Sequence, residues 1–206
     1  MGARSVVDDF WGDPSLKDEI ARADVKAGVP DTRRRVIEQR YGQRGVDAVA
    51  AALSAEDRAL FLTPPLVTTW VSLDKLARID EAITKVHLRG DASQMGAIAD
   101  EAATFELHVV YTYLLKLGSP EWVLKRLGTV FGAKARPGLL RETNTAHKQA
   151  WLELVQMVMP HYYVAHVMPS WAMRAVLLTG GKDPRVELIE SPHYGDRRTF
   201  WHVQWR

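Results

Sequence analysis

The chain has 206 residues, 47% of them hydrophobic and 25% charged, with a net charge of +2 at neutral pH, which is ordinary composition for one globular domain with its own core. It contains no cysteine, so disulfides, a thiolate nucleophile and zinc-thiolate sites are excluded. No apolar run approaches the roughly 20 residues of a membrane-spanning helix, and charge stands where a signal peptide would have its apolar core, so a cytoplasmic protein is expected.

Residues 1–22 carry Asp8, Asp9, Asp13, Asp18 and Glu19 beside isolated Val6, Val7, Phe10 and Trp11, the pattern of a mobile N-terminal extension ahead of a single domain over 23–206. Phe10-Trp11 either docks a partner or packs on its own domain, and the second is the commoner outcome. From Asp31 onward, Val36, Ile37 and Tyr41 before Gly42, then Val46, Val49 and Leu53 after Gly45, predict two short helices. Ser54-Ala55-Glu56-Asp57 opens a third, closed by Pro64-Pro65. Leu73, Leu76, Ile79, Ile83 and Val86 then recur at three and four residues up to Gly90. Asp91 with Gln94 resembles a capping box for a second long helix through Met95, Ile98, Ala102, Phe105, Val109 and Leu115 to Gly118. Segments 66–90 and 92–118, so closely joined, should lie antiparallel, and their apolar stripes offer more surface than one small sheet can cover, so a homodimer paired through them is expected. Ser119-Pro120-Glu121 is a helix start for Trp122, Val123, Leu127 and Val130.

Pro137-Gly138 separates this helical part, 31–133, from a sheet-rich part, 138–206. Leu139 to Thr143 and Lys148 to Val155 read as strands joined by a turn at Asn144-Thr145. Residues 155–168 suit either a strand or a helix. Pro169 to Thr179 forms a short amphipathic helix ended by Gly180-Gly181, and a strand over 185–190 follows. In the last strand the period of two puts Trp201, Val203 and Trp205 on one face, with Phe200, His202 and Gln204 on the other. Trp171, Ala175 and Leu178 are the expected cover for the indoles. The fold class is α+β, an N-terminal helical bundle packed against a small C-terminal antiparallel β-sheet.

Chemistry-bearing motifs are scarce. There is no P-loop, no Gly-x-Gly-x-x-Gly and no Gly-x-Ser-x-Gly elbow, and no enzyme is expected. His161 and His166 are five apart, a poor spacing for one α-helical face, and His193 and Asp196 have no third ligand in view, so no metal is expected. Arg33-Arg34-Arg35 with Arg40 and Arg44 reads as a solvated face, and no nucleic-acid partner is expected. The aromatic residues of the second half, among them Trp151, Tyr163, Trp171 and Trp201, form either a ligand pocket or a bulky core.

The order of several short motifs resembles a bacterial family of unknown function. These are Val25-Lys26-Ala27-Gly28, Glu38-Gln39-Arg40-Tyr41-Gly42, Ala51 to Arg58, Leu117-Gly118-Ser119-Pro120-Glu121, and a Gly-Asp loop before an aromatic strand. That family is similar in turn to 4-vinyl-reductase-type ligand-binding domains, heme-NO-binding sensors and TRAPP-type trafficking subunits. The resemblance implies an α+β fold, frequent homodimers and, in several members, an apolar ligand cavity. The cysteines that ligand-binding relatives often carry around the final hairpin are absent; Glu190-Ser191-Pro192-His193 and Arg198-Thr199-Phe200-Trp201 stand there. A heme-NO sensor also needs an axial histidine, for which only His108 is placed; a lone histidine on such a helix is more often structural, and no cofactor is expected. The expected function is a non-enzymatic sensory or regulatory domain binding a small apolar ligand, with Trp151, Tyr163, His166, Trp171 and Trp201 as its contacts. The competing expectation is a homodimeric protein-interaction adaptor with a filled core.

Overall fold

The computed structural model describes residues 9–103 and 118–206. Its helices and strands alternate with the side-chain patterns above, and the differences have local physical causes. After a turn at 9–13, a short 3-10 turn at Pro14–Leu16 leads into α1 (Lys17–Ala21) and β1 (Asp24–Lys26). The described part of the expected extension is therefore folded against the domain, with Phe10 and Ile20 buried. α2 (Gly28–Ala52) is broken at Gly42, whose φ of 65° only glycine adopts at little cost. The two helices expected here are thus two arms of one kinked element. Ser54 caps α3 (Ala55–Leu62) by accepting from the Asp57 N–H at 3.2 Å.

β2 (Trp70–Ser72) has three residues, too few to show a period, and was not anticipated. It pairs antiparallel with β1, Val25 facing Val71, and β3 (Ala135–Arg136) pairs on the other side, Val25 facing Ala135. α4 (Leu73–His87) buries Leu73, Leu76, Ile79 and Ile83 completely, as their spacing predicts. Asp91 caps the turn that follows, and α5 occupies 95–103, with Met95, Ile98 and Ala102 buried. Phe105, Val109 and Leu115 of the expected second long helix lie outside the described residues, as does much of the surface on which pairing of two chains was expected. Ser119 and Pro120 start α6 (Pro120–Leu124), and α7 (Leu127–Lys134) is a separate helix rather than its continuation.

β4 (Leu139–Ala146), β5 (Gln149–Val155), β6 (Arg185–Glu190) and β7 (Thr199–Gln204) form an antiparallel sheet in the order β4-β5-β7-β6. The hairpin turns at His147-Lys148, three residues later than expected, because a bulge between Glu142 and Asn144 lets the strand run through the Asn144-Thr145 pair. Residues 155–168, open to either reading, turn out to be a loop and then helix from 161. A π-helical turn at Tyr163–Val167 runs straight into α8 (Met168–Leu178). Pro169 therefore lies inside the helix instead of opening it; the wider π turn relieves the clash between a proline ring and the preceding turn.

α7 packs on β4, and α8 packs on α6 and along β6. On the covered face of the sheet lie Leu140, Ala150, Leu152, Trp201 and Val203, all buried. Trp201 is 2% exposed, and its indole N–H donates to the Val164 carbonyl at 2.8 Å. Ala172, Ala175 and Val176 form the buried side of α8; Leu178, expected on that side, is exposed because at about 100° per residue it falls well off the stripe that these three residues define. The opposite sheet face is open, with His202 stacked on Trp151 at 4.6 Å between ring centroids. Among the described residues no helix is long and apolar enough to cross a membrane.

Replacing Trp201 by Ala should cost about 3–5 kcal/mol, lowering Tm by on the order of 10 °C in thermal unfolding. His202→Ala on the open face should change stability by no more than about 0.5 kcal/mol. Equal Tm losses for the two variants would contradict this division of faces.

Candidate functional site

A cavity of about 70 Å³ lies where β1, α2, α5, α7 and the helix over 161–178 meet. β1 and α2 contribute Val25, Val29 and Arg33; α5 contributes Ala99, Ala102 and Ala103. α7 adds Val130, Phe131 and Lys134, while Tyr163, Val167, Met168 and Trp171 close it from the C-terminal helix. The alanines create the space: at spacings of three and four they present one face of α5 with almost no side-chain bulk. Every charged residue on the described lining is a cation, Arg33 or Lys134.

Of the five residues anticipated as ligand contacts, Tyr163 and Trp171 border this cavity and the other three do not. Trp201 sits in the core between sheet and helix. Trp151 belongs to the open sheet face, against His202. His166 lies beneath the N-terminal segment, its Nε2 3.6 Å from an Asp9 carboxylate oxygen, beyond hydrogen-bond reach. Sequence reasoning missed Arg33 and the alanine face. The signal for Arg33 was present: it follows Val29 by four residues and precedes Val36 and Ile37 by three and four, which puts it on the buried stripe of α2.

Arg33 is held by Asp80, itself fully buried in α4. Arg33 Nε donates to one carboxylate oxygen at 3.2 Å, and the Tyr162 hydroxyl donates to the other at 2.8 Å. Burial pushes the Asp80 carboxyl up, and the Arg33 charge with the Tyr162 hydroxyl offsets part of that rise. The Tyr162 hydroxyl is pushed far up by burial and by the adjacent Asp80, so it remains a donor. Phe10 stacks on the Tyr162 ring at 4.1 Å.

That stack belongs to a clasp between the N-terminal segment and the 161–178 helix. The first free N–H groups of the helix, His161 and Tyr162, donate to the carbonyls of Trp11 and Phe10 at 3.3 and 3.0 Å, which satisfies donors that a helix start leaves unpaired. His193 locks the other end. Its Nδ1 accepts from the Asp13 N–H at 3.1 Å and its Nε2 donates to the Met159 carbonyl at 2.7 Å, the neutral tautomer. Gly12, at a φ of 87°, lies so close that a Cβ there would overlap the imidazole. His161 Nδ1 donates to the Asp9 carbonyl at 3.1 Å, leaving Nε2 to accept from the Tyr194 hydroxyl at 2.7 Å.

The spacing argument against His161 and His166 assumed an α-helix. The π turn brings residues five apart onto the same side, and their ring centroids are 6.4 Å apart. Among the described residues, even so, no group of three or more His, Asp or Glu side chains is placed to hold a metal ion.

No protein-family model and no curated protein matches this chain. Solved structures do. An Fe(II) unliganded H-NOX protein from K. algicida matches with a TM-score of 0.65 at 9% identity, over 88% of this chain and 96% of that one. An oxygen-binding H-NOX domain related to soluble guanylate cyclases, in its oxygen complex, matches with a TM-score of 0.64 at 12% identity, over 88% and 95%. A further structure, from work on heme redox potential and porphyrin distortion, matches with a TM-score of 0.63 at 13% identity, over 87% and 99%. This chain shares its fold with H-NOX domains, in keeping with the resemblance of the motif order to heme-NO-binding sensors.

That fold raises the question of heme. Ligand pockets usually enclose about 300–1,000 Å³, and a cavity of about 70 Å³ is far below what a porphyrin fills. No histidine borders it among the described residues, and His108 lies outside them. The described residues do not fit a heme.

Two measurements follow from the clasp and the cavity. Burial holds the His193 imidazole below its usual 6.5, so the unfolded chain takes up a proton first. The contribution of His193 to stability is thus complete above about pH 6.5 and declines as the pH falls towards its folded-state value. Tm recorded from pH 7.5 down to 5 should show this decline, and His193→Gln should flatten it; an unchanged slope would remove His193 as the cause. The purified protein, incubated with hemin and gel-filtered, should show no Soret band. A band that persists in the wild type and vanishes in His108→Ala would reverse the conclusion about heme.

Proposed function

We propose that this protein is a non-enzymatic sensory or regulatory domain whose cavity takes a small apolar ligand. The observation that carries the reading is the cavity itself, walled by aliphatic and aromatic side chains from both ends of the chain. Close-packed interiors seldom leave room for more than a water molecule, and a water needs only about 10–15 Å³ of such space. About 70 Å³ is room for a small organic molecule of several heavy atoms. The fold shared with an oxygen-binding H-NOX domain supports a sensory role. Tyr163 and Trp171 are the aromatic contacts that this reading keeps from the sequence. The competing adaptor reading assigns this space no role; at about 70 Å³ it lies below the usual range of ligand pockets and holds the ligand of our reading to a few heavy atoms.

The test fills the space. Ala103→Leu adds side-chain volume at the wall; in a packed core that would cost roughly 1–3 kcal/mol, whereas here Tm should hold or rise. The same variant should abolish the change in Trp171 fluorescence that 1-hexanol produces in the wild type. A large loss of Tm, or a wild type indifferent to 1-hexanol, would defeat the reading.

A further inference from the structure

We propose that the chain has a second binding site, a surface groove that takes a small organic phosphate between Arg22 and Arg197. The groove encloses about 420 Å³, within the range of about 300–1,000 Å³ usual for ligand sites. Three parts of the chain form it, with Pro137 beside them: the end of α1 with Glu19, Arg22 and Ala23, the stretch 154–158 where the chain leaves β5, and the connection between β6 and β7 with Pro192, Arg197 and Arg198. It shares no described lining residue with the interior cavity.

The polar side chains on its wall are mostly donors: Arg22, Arg197, Arg198 and the Gln156 amide, against the single carboxylate of Glu19. Arg198 is already answered, since its guanidinium donates to Glu190 at 2.8 and 3.0 Å and to Glu153 at 2.7 Å. Arg22 and Arg197 are exposed, and among the described residues neither guanidinium has an ion pair or a hydrogen bond. With Glu19 set against them, these unpaired groups leave the wall one positive charge in excess. A phosphomonoester presents three terminal oxygens and a charge of about −1.5 to −2 at neutral pH, against two oxygens and one charge for a carboxylate, and so can engage both guanidinium forks at once. Pro137, Val158 and Pro192 give the rest of the wall an apolar surface for the organic part of the ligand.

The experiment titrates the full chain with phenyl phosphate, benzoate and benzylamine by calorimetry at pH 7.5 and low salt. Phenyl phosphate should bind more tightly than benzoate by roughly tenfold, the worth of one further charge-assisted hydrogen bond, and benzylamine should not bind. Arg22→Gln and Arg197→Gln should each weaken phenyl phosphate by roughly fivefold, and Glu19→Gln should strengthen it by about twofold, as expected for exposed charges. All three side chains are exposed, so Tm should stay at the wild-type value in each variant. Ala103→Leu, which fills the interior cavity, should leave phenyl phosphate binding as it was. No binding of phenyl phosphate, equal affinity for benzoate, or binding that survives in the Arg22→Gln/Arg197→Gln double variant would overturn the groove as a phosphate site. Loss of binding in Ala103→Leu would move the anion to the interior cavity and overturn the groove equally.

Discussion

One carboxylate fixes how the two halves of this protein meet. Asp80 is fully buried, and its oxygens accept from Arg33 of α2 and Tyr162 of the C-terminal helix, elements 47 and 82 residues away in the chain. A buried ion pair adds little net stability over well-packed apolar residues, but removing one partner leaves an uncompensated charge worth about 3–5 kcal/mol. Its value here is positional. Hydrogen bonds have direction and apolar contacts do not, so the Arg33–Asp80–Tyr162 set determines how α2, α4 and the C-terminal helix are turned towards each other.

The cavity is a consequence of that arrangement. Arg33 occupies a place on the stripe of α2 where an aliphatic residue would fill the interior, and α5 faces it with alanines. On the far side of Asp80, Tyr162 carries the Phe10 stack. Cavity wall, buried carboxylate and N-terminal segment thus form one contiguous set of contacts, on a fold shared with H-NOX domains at identities near 10%.

Much of the fold was legible because it rests on local patterns. The stripe of Leu73, Leu76, Ile79 and Ile83, the Ser54 and Ser119 caps and the alternation of Trp201, Val203 and Trp205 each depend on period or cap chemistry within a few residues. What could not be read depends on partners distant in the chain. β1, β2 and β3 are two or three residues long and exist only because they pair with one another. The N-terminal stretch looked extended because its apolar residues are isolated; Phe10 and Ile20 find their partners in elements that follow much later. Of the candidate site, the aromatic members Tyr163 and Trp171 were legible as bulky residues. The cavity was not, because absent side-chain volume at Ala99, Ala102 and Ala103 has no signature apart from the walls opposite.

The π turn at Tyr163–Val167 sets the rotational phase of everything that follows it in the helix. Such a turn is an α-helix with one residue too many, and one residue in an α-helix is about 100° of rotation. Upstream of it His161 and Tyr162 are aimed at the N-terminal segment and at Asp80; downstream, Trp171 is aimed at the cavity and Ala172, Ala175 and Val176 at the interior. The extra residue sets the phase between these two halves. A single-residue deletion within the turn would yield a more regular helix and a mismatched one, with every downstream side chain carried about a quarter of the way round the axis. The irregularity is a change of phase that the packing on both sides of it requires.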